Sequence, residues 1–222
     1  MTETREHIVH VRVDSLSLEG ALGVPPAAGG IVLFAHGSGS SRHSPRNNFV
    51  ARELRAGGLG TLLMDLLTPD EDADRASRFD IELLTRRLTA ATRWLKDQPE
   101  AKMLPLGYFG ASTGAAAALK AAAALGPDIA AVVSRGGRPD LAMADLPRVQ
   151  APTLLIVGER DDLVLDLNRR AHAKLGALKE LVVVPRATHL FEEPGTLEEV
   201  ARLARDWFTR HLIPRAGERR SA

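Results

Sequence analysis

Three residue types that together make an activated nucleophile occur in usable order along this chain: a serine at 112, aspartates at 161 and 162, and a histidine at 189. Ser112 lies in "FGASTG", between an apolar strand-like run and the alanine tract of residues 115–125. A hydroxyl there has two readings. It is a helix N-cap, or it is a nucleophile held out on a sharp strand-to-helix turn. The spacing Gly110-x-Ser112-x-Gly114 favours the second, because such a turn strains the serine backbone and leaves no room for large flanking side chains. The helix that follows directs its positive end at the serine, where negative charge develops.

A serine hydroxyl is weak at its own pKa and needs a base, which in turn needs an orienting acid. On a parallel sheet with this turn the partners follow in the order acid, then histidine. Downstream of Ser112 only His172, His189 and His211 remain. His172 and His211 fall inside helical patterns, whereas His189, in "VPRATHLFEEPG", follows the last strand and is the candidate base. Asp161, in "LLIVGERDDLVLD", is the candidate acid, and its neighbour Asp162 is the rival that caps the helix starting near Leu163. The oxyanion hole is assigned to the backbone N–H groups of Thr113 and of Ser38, in "AHGSGSSRHSPRN". Gly37-x-Gly39 also suggests a dinucleotide fingerprint with Asp65 as ribose ligand. Arg42 stands where its third glycine belongs. No Walker A spacing is present.

These residues need a scaffold. Runs at 31–37, 61–67, 103–110, 129–137, 153–159 and 180–186 are apolar on both faces, as buried parallel strands are. Ahead of them, "HIVHVRV" and "LSLEGALGVP" read as an antiparallel pair at a sheet edge. Helical patterns lie between, the first opened by Ser44 as N-cap with Pro45 behind it and closed at Gly57 and Gly58. The alanine helix stops at Gly126 and Pro127, and the last helix carries the stripe Leu197, Val200, Leu203, Ala204, Trp207. The alternation predicts an α/β fold, a doubly wound and mostly parallel sheet in a single domain over 1–213, without a cap domain. Residues 214–222 are expected to be a flexible C-terminal tail, and the polar stretch 68–78 a solvated loop.

Bulk properties remove several function classes. Twenty-nine basic against 28 acidic residues give a net charge of +1, so no nucleic-acid partner is expected. The absence of cysteine excludes disulfides, thiolate metal sites and a cysteine nucleophile. Neither a signal peptide nor a membrane span is legible, so a cytoplasmic protein, monomer or homodimer, with no metal and no cofactor, is the expectation.

Ser112, Asp161 and His189, with "HGSGSS" and no cap insertion, resemble the α/β-hydrolase superfamily, in particular its dienelactone-hydrolase-like branch. The resemblance runs from about Ile31 to the last helix. "AHGSGSSRHSPRN" and "SRGGRPDLA" together resemble a bacterial group within that branch, some of whose members are fused to phosphoribosyltransferase domains; no such second domain is expected here. Dienelactone hydrolases use a cysteine nucleophile where this chain has Ser112. The resemblance therefore implies a serine hydrolase of small carboxylic esters acting through an acyl-enzyme. A thioesterase or amidase on the same triad, or a non-catalytic binding module of the same fold, remains the alternative.

Arg42, His43 and Arg46 leave the oxyanion loop, and Arg135 and Arg138 follow a strand, all at the carboxyl edge of the sheet where ligands bind in this architecture. One reading makes Arg42, Arg46, Arg135 and Arg138 a substrate site for an anion, since a planar guanidinium suits carboxylate or phosphate. The other pairs these arginines with Asp140, Asp145 and the acidic 68–78 segment at the surface.

Overall fold

The computed structural model describes residues 6–213, and the tail expected at 214–222 lies outside the described residues. The amino-terminal runs form the antiparallel hairpin β1 (His7–Val13) and β2 (Leu16–Gly23), with Val13 opposite Leu16. The apolar runs that follow become β3 (Ile31–Ala35), β4 (Gly60–Met64), β5 (Leu106–Ala111), β6 (Ile129–Arg135), β7 (Thr153–Gly158) and β8 (Lys179–Val184). Between and after them lie α1 (Pro45–Ala56), α2 (Pro69–Ala73), α3 (Arg75–Phe79), α4 (Ile81–Asp97), α5 (Thr113–Leu125), α6 (Asp162–Lys174) and α7 (Thr196–Leu212).

The strands join one sheet in the order β1-β2-β4-β3-β5-β6-β7-β8. Pairing is parallel from β4 through β8 and antiparallel for β1 and β2. Strands β3 to β7 are almost wholly buried on both faces, which is why their sequences lack alternation. One face packs α4 and α5 around Leu88, Tyr108, Ala118 and Leu119. The other packs α1 and α7 around Phe34, Val50, Phe109, Trp207 and Phe208. The anticipated stripe on α7 is the one that docks, with Val200, Ala204 and Trp207 buried.

Strand order reverses between β3 and β5, so their carboxyl ends open a crevice at the switch point of the sheet. The loop after β3 and the turn after β5 both emerge there. In α1, Ser44 accepts the Asn47 N–H as N-cap and Pro45 takes the first helical position, as the sequence predicts.

Segment 68–78 departs from expectation: α2 and α3 occupy it. Thr68 and Glu71 form a reciprocal capping box, each side chain taking the other's backbone N–H, and Asp74 caps α3 by accepting from Ala76 and Ser77. The acidic residues are helix-start chemistry as well as solvated charge.

Candidate active site

The turn from β5 into α5 is built around two close approaches. A Cβ on Gly114 would stand 2.1 Å from the Ala35 carbonyl oxygen, and one on Gly110 2.4 Å from the Ala115 Cα. Only glycine fits at either position. Ser112 between them is held at φ 50° and ψ −121°, a conformation costly for a residue with a side chain. It occupies the N-cap position of α5, yet its side chain makes no capping hydrogen bond. The hydroxyl is therefore not spent on the helix. The surrounding backbone fixes the turn, with Ser112 N–H donating to the Arg135 carbonyl (3.3 Å) and Arg138 N–H donating to the Ser112 carbonyl (3.0 Å).

Asp161 has a parallel history. It stands at the N-cap of α6, again without a capping bond. Its Oδ2 lies 2.6 Å from His189 Nδ1, with Asp161 15% and His189 39% exposed. The carboxylate thus orients the imidazole through Nδ1 and leaves Nε2 for other chemistry. Asp162 is the first residue of α6, and the helix start that it was expected to cap lies at its own position. The loops carrying acid and histidine are zipped together: Glu159 N–H donates to the Val184 carbonyl (3.0 Å), Arg160 N–H to the Ala187 carbonyl (2.9 Å), and Arg186 N–H to Glu159 Oε2 (2.7 Å). Phe191, two residues past the histidine, adopts a left-handed φ of 56° and is buried in the α1/α7 core. Gly136 brings this loop to the serine turn, since a Cβ there would lie 3.5 Å from His189 Nδ1.

The two oxyanion candidates meet directly. Ser38 N–H donates to Thr113 Oγ1 at 3.0 Å, tying the loop after β3 to the serine turn. Buried His36 braces the same loop: its Nε2 accepts the Leu66 N–H at 3.1 Å, which leaves the proton on Nδ1, 3.1 Å from the Gly37 carbonyl. Beyond a histidine at a strand end, nothing in the sequence signals this brace. Asp65, the supposed ribose ligand, instead accepts the Arg42 N–H at 2.8 Å and the Arg42 guanidinium.

The four arginines separate. Arg42 is tied to Asp65 and Glu19, and Arg138 makes a two-pronged pair with Asp140 at 2.8 Å. Arg46 reaches Glu192 at 3.0 Å, joining the start of α1 to the histidine loop. Arg135 is buried, and its guanidinium lies 5.9 Å from the Phe191 ring centroid. Of the expected partners Asp140 takes one of these four, Arg138; Asp145 pairs with Arg148 and Lys120 instead, Asp72 and Glu71 of the 68–78 segment pair with Arg78 and Arg87, and Glu19, Asp65 and Glu192 are partners that sequence reasoning missed. No local spacing announces a pair 146 residues apart.

A doubly wound sheet with a serine turn at its switch point and a histidine–carboxylate pair on the later loops is the architecture of the α/β-hydrolases. Residues 67–212 match the Dienelactone hydrolase family, and the chain belongs to that family. Its structure is similar to that of a dienelactone hydrolase from Anabaena variabilis, at 55% identity and a TM-score of 0.92, over 95% of this chain and 99% of that one. It also has the fold of an esterase from Pyrococcus furiosus, at 17% identity and a TM-score of 0.75, over 94% and 92% of the two chains. A protein from Mycobacterium tuberculosis named "Putative phosphoribosyl transferase" is 60% identical over 208 residues, 94% of this chain and 47% of that protein. The chain spans about half the length of the curated relatives it matches. Among the described residues no helix is long and apolar enough to cross a membrane.

Proposed function

We infer that the chain is a serine hydrolase of small carboxylic esters. The observation that carries the reading is a coincidence of two unspent caps: Ser112 and Asp161 both occupy helix N-cap positions, and neither side chain caps. One is strained outward and the other bonds His189. In the reaction, His189 Nε2 takes the Ser112 proton as Oγ attacks the ester carbonyl carbon. The carbonyl oxygen becomes an oxyanion, stabilised by the backbone N–H groups of Thr113 and Ser38, the latter shared with Thr113 Oγ1. Collapse of this intermediate expels the alkoxide, which leaves as alcohol with the proton from His189. Water, deprotonated by His189, then attacks the acyl-enzyme, and collapse returns Ser112 and a carboxylic acid.

Asp161 holds the ring through its bond to Nδ1. The chain has no cysteine, so the nucleophile's role falls to the serine. A fluorophosphonate probe, which needs an activated serine, is expected to label the wild type and not Ser112→Ala. Ser112→Gly, which also relaxes the backbone strain, is expected to gain about 1 kcal/mol of stability while losing hydrolysis of short activated esters. Labelling of Ser112→Ala at the wild-type rate, or its hydrolysis within a few fold, sinks the mechanism.

A further inference from the structure

Asn168, in the middle of α6, is wholly buried, at 0% exposure. Its Nδ2 donates to the Gly137 carbonyl at 3.0 Å and to the Val164 carbonyl at 2.8 Å, while its Oδ1 is buried without a hydrogen-bond partner. Two carbonyls on one side fix the orientation of the amide, since the reverse would set oxygen against oxygen. An orphaned acceptor in the interior is costly, and a leucine of similar volume would avoid that cost. The bond to Val164 stays within the helix. The bond to Gly137, 31 residues away in the chain, is the one that reaches out of it.

Gly137 belongs to the segment 135–138, which leaves the end of β6 and grips the serine turn on both sides. Ser112 N–H donates to the Arg135 carbonyl (3.3 Å), and Arg138 N–H donates to the Ser112 carbonyl (3.0 Å). The same segment touches the histidine, because a Cβ on Gly136 would lie 3.5 Å from both Cε1 and Nδ1 of His189. The sheet holds the start of the segment through the Gly136 N–H bond to the Ile156 carbonyl (2.8 Å). Beyond it the chain departs from the ladder, whose last β6 partner is Arg135. The next polar groups are the Gly137 carbonyl and the Arg138 N–H, and these are the two ends of one peptide unit. That unit is planar and rigid. Asn168 holds its oxygen, and its N–H holds the Ser112 carbonyl, so one peptide plane joins the buried amide to the backbone of the strained serine.

The helix that carries Asn168 also carries the acid. Asp161 stands at the N-cap of α6 and bonds His189, and Asn168 follows seven residues later, on the same helical face and about 10 Å along the axis. We propose that Asn168 is a positioning residue, which through the Gly137–Arg138 peptide keeps Ser112 in its strained conformation and lets α6 set the serine against the histidine. The inference rests on the serine-hydrolase reading for the reaction that it serves, whereas the tether stands apart from that reading. Because Asn168 is wholly buried it meets no substrate, so its loss acts on kcat and not on KM.

In the full chain, Asn168→Leu keeps the volume and removes the donor. On a short activated ester its kcat is expected to fall about ten- to a hundredfold with KM within about twofold, and labelling by a fluorophosphonate to slow by the same factor. Amide exchange at Arg138, read by residue-resolved hydrogen exchange, is expected to quicken about tenfold or more. Leu165→Ala is the comparison: it leaves a cavity against Val157 on the same helix and is expected to lower the thermal midpoint while keeping kcat within about twofold. Asn168→Ser, whose hydroxyl turns back to the Val164 carbonyl, is expected to repeat the loss in kcat, and it decides the matter if the leucine variant does not fold. A kcat within about twofold of wild type in either folded Asn168 variant overturns the proposal. So does an equal loss in Leu165→Ala, which shows a structural asparagine, or a rise in KM alone. Unchanged exchange at Arg138 in Asn168→Leu removes the tether and leaves the hydrolase reading standing. Hydrolysis retained in Ser112→Ala sinks that reading, while the exchange comparison still decides the tether.

Discussion

At the scale of single residues, the choice between neighbours Asp161 and Asp162 turns on one distance. Asp161 Oδ2 is 2.6 Å from His189 Nδ1, whereas Asp162 begins α6. Asp161→Asn replaces the acceptor with an amide that favours the wrong histidine tautomer, so turnover is expected to fall by about two to four powers of ten. Asp162→Asn keeps a residue suited to a helix start and is expected to cost less than about threefold. Steady-state rates on one activated ester check both, and the reverse ranking would show that the acid is Asp162. The contact between Asp161 and His189 was legible in the sequence because the proposed chemistry demands those residue types at strand ends. The arginine partners were not. Arg138 could be matched to the nearby Asp140, but the pair of Arg46 with Glu192, and the lack of a carboxylate for Arg135 among the described residues, depend on how distant loops meet.

Elements explain why one short loop does so much. Residues 189–193 carry His189, the buried Phe191 under Arg135, the Glu192 partner of Arg46, and Glu193, whose Oε2 accepts the Thr188 N–H at 3.1 Å. Glu193 staples this loop at both ends, because its carbonyl also accepts from Thr196 at the start of α7. The bonds from Thr188 hold its carboxyl below the usual carboxylate range. The sign follows: with a folded pKa below the unfolded value of about 4.3, the staple is complete above that value and is lost as pH falls through the folded pKa. The Thr188 amide resonance is therefore expected to titrate with a midpoint below about 4.3 in the wild type, and to lose that step in Glu193→Gln. A midpoint at or above the ordinary carboxylate value means that the staple does not form. At this scale β3 to β7 were legible because burial on both faces leaves continuous apolar runs, and the β1/β2 hairpin by its alternation, whereas β8, whose run reads as a buried strand, lies at the sheet edge with Val184 its one buried residue. The sequence was misread at 68–78, where acidic residues drew a solvated-loop reading although Thr68 and Glu71 already had capping-box spacing.

The whole molecule is one sheet with a separate core on each face, and each core holds one of the two tryptophans. Trp94 packs with α4 against the core under α5, while Trp207 is buried with α1 and α7 on the other side. The site draws on both layers: Ser112 opens α5, and Arg46 and the histidine loop belong to the α1/α7 side. On the proposed reading, coupling across the sheet serves function as well as stability. Strands β3 to β7 are buried on both faces, so neither helical layer can leave without exposing the apolar surface on which the other depends. Unfolding in denaturant is expected to be a single transition. Each tryptophan offers a separate view, since Trp207→Phe leaves only Trp94 emission and Trp94→Phe leaves only Trp207. The substitutions will shift stability by different amounts, Trp207→Phe more because its ring is buried and its indole N–H donates to the Pro152 carbonyl at 3.3 Å. The comparison is therefore made within each variant. Tryptophan fluorescence should give the same midpoint and slope as far-UV circular dichroism, and activity should disappear over the same range. If the Trp94 signal and the helical signal separate in one variant while the Trp207 signal follows activity in the other, the α4/α5 layer unfolds on its own, and the sheet does not couple the two halves of the site.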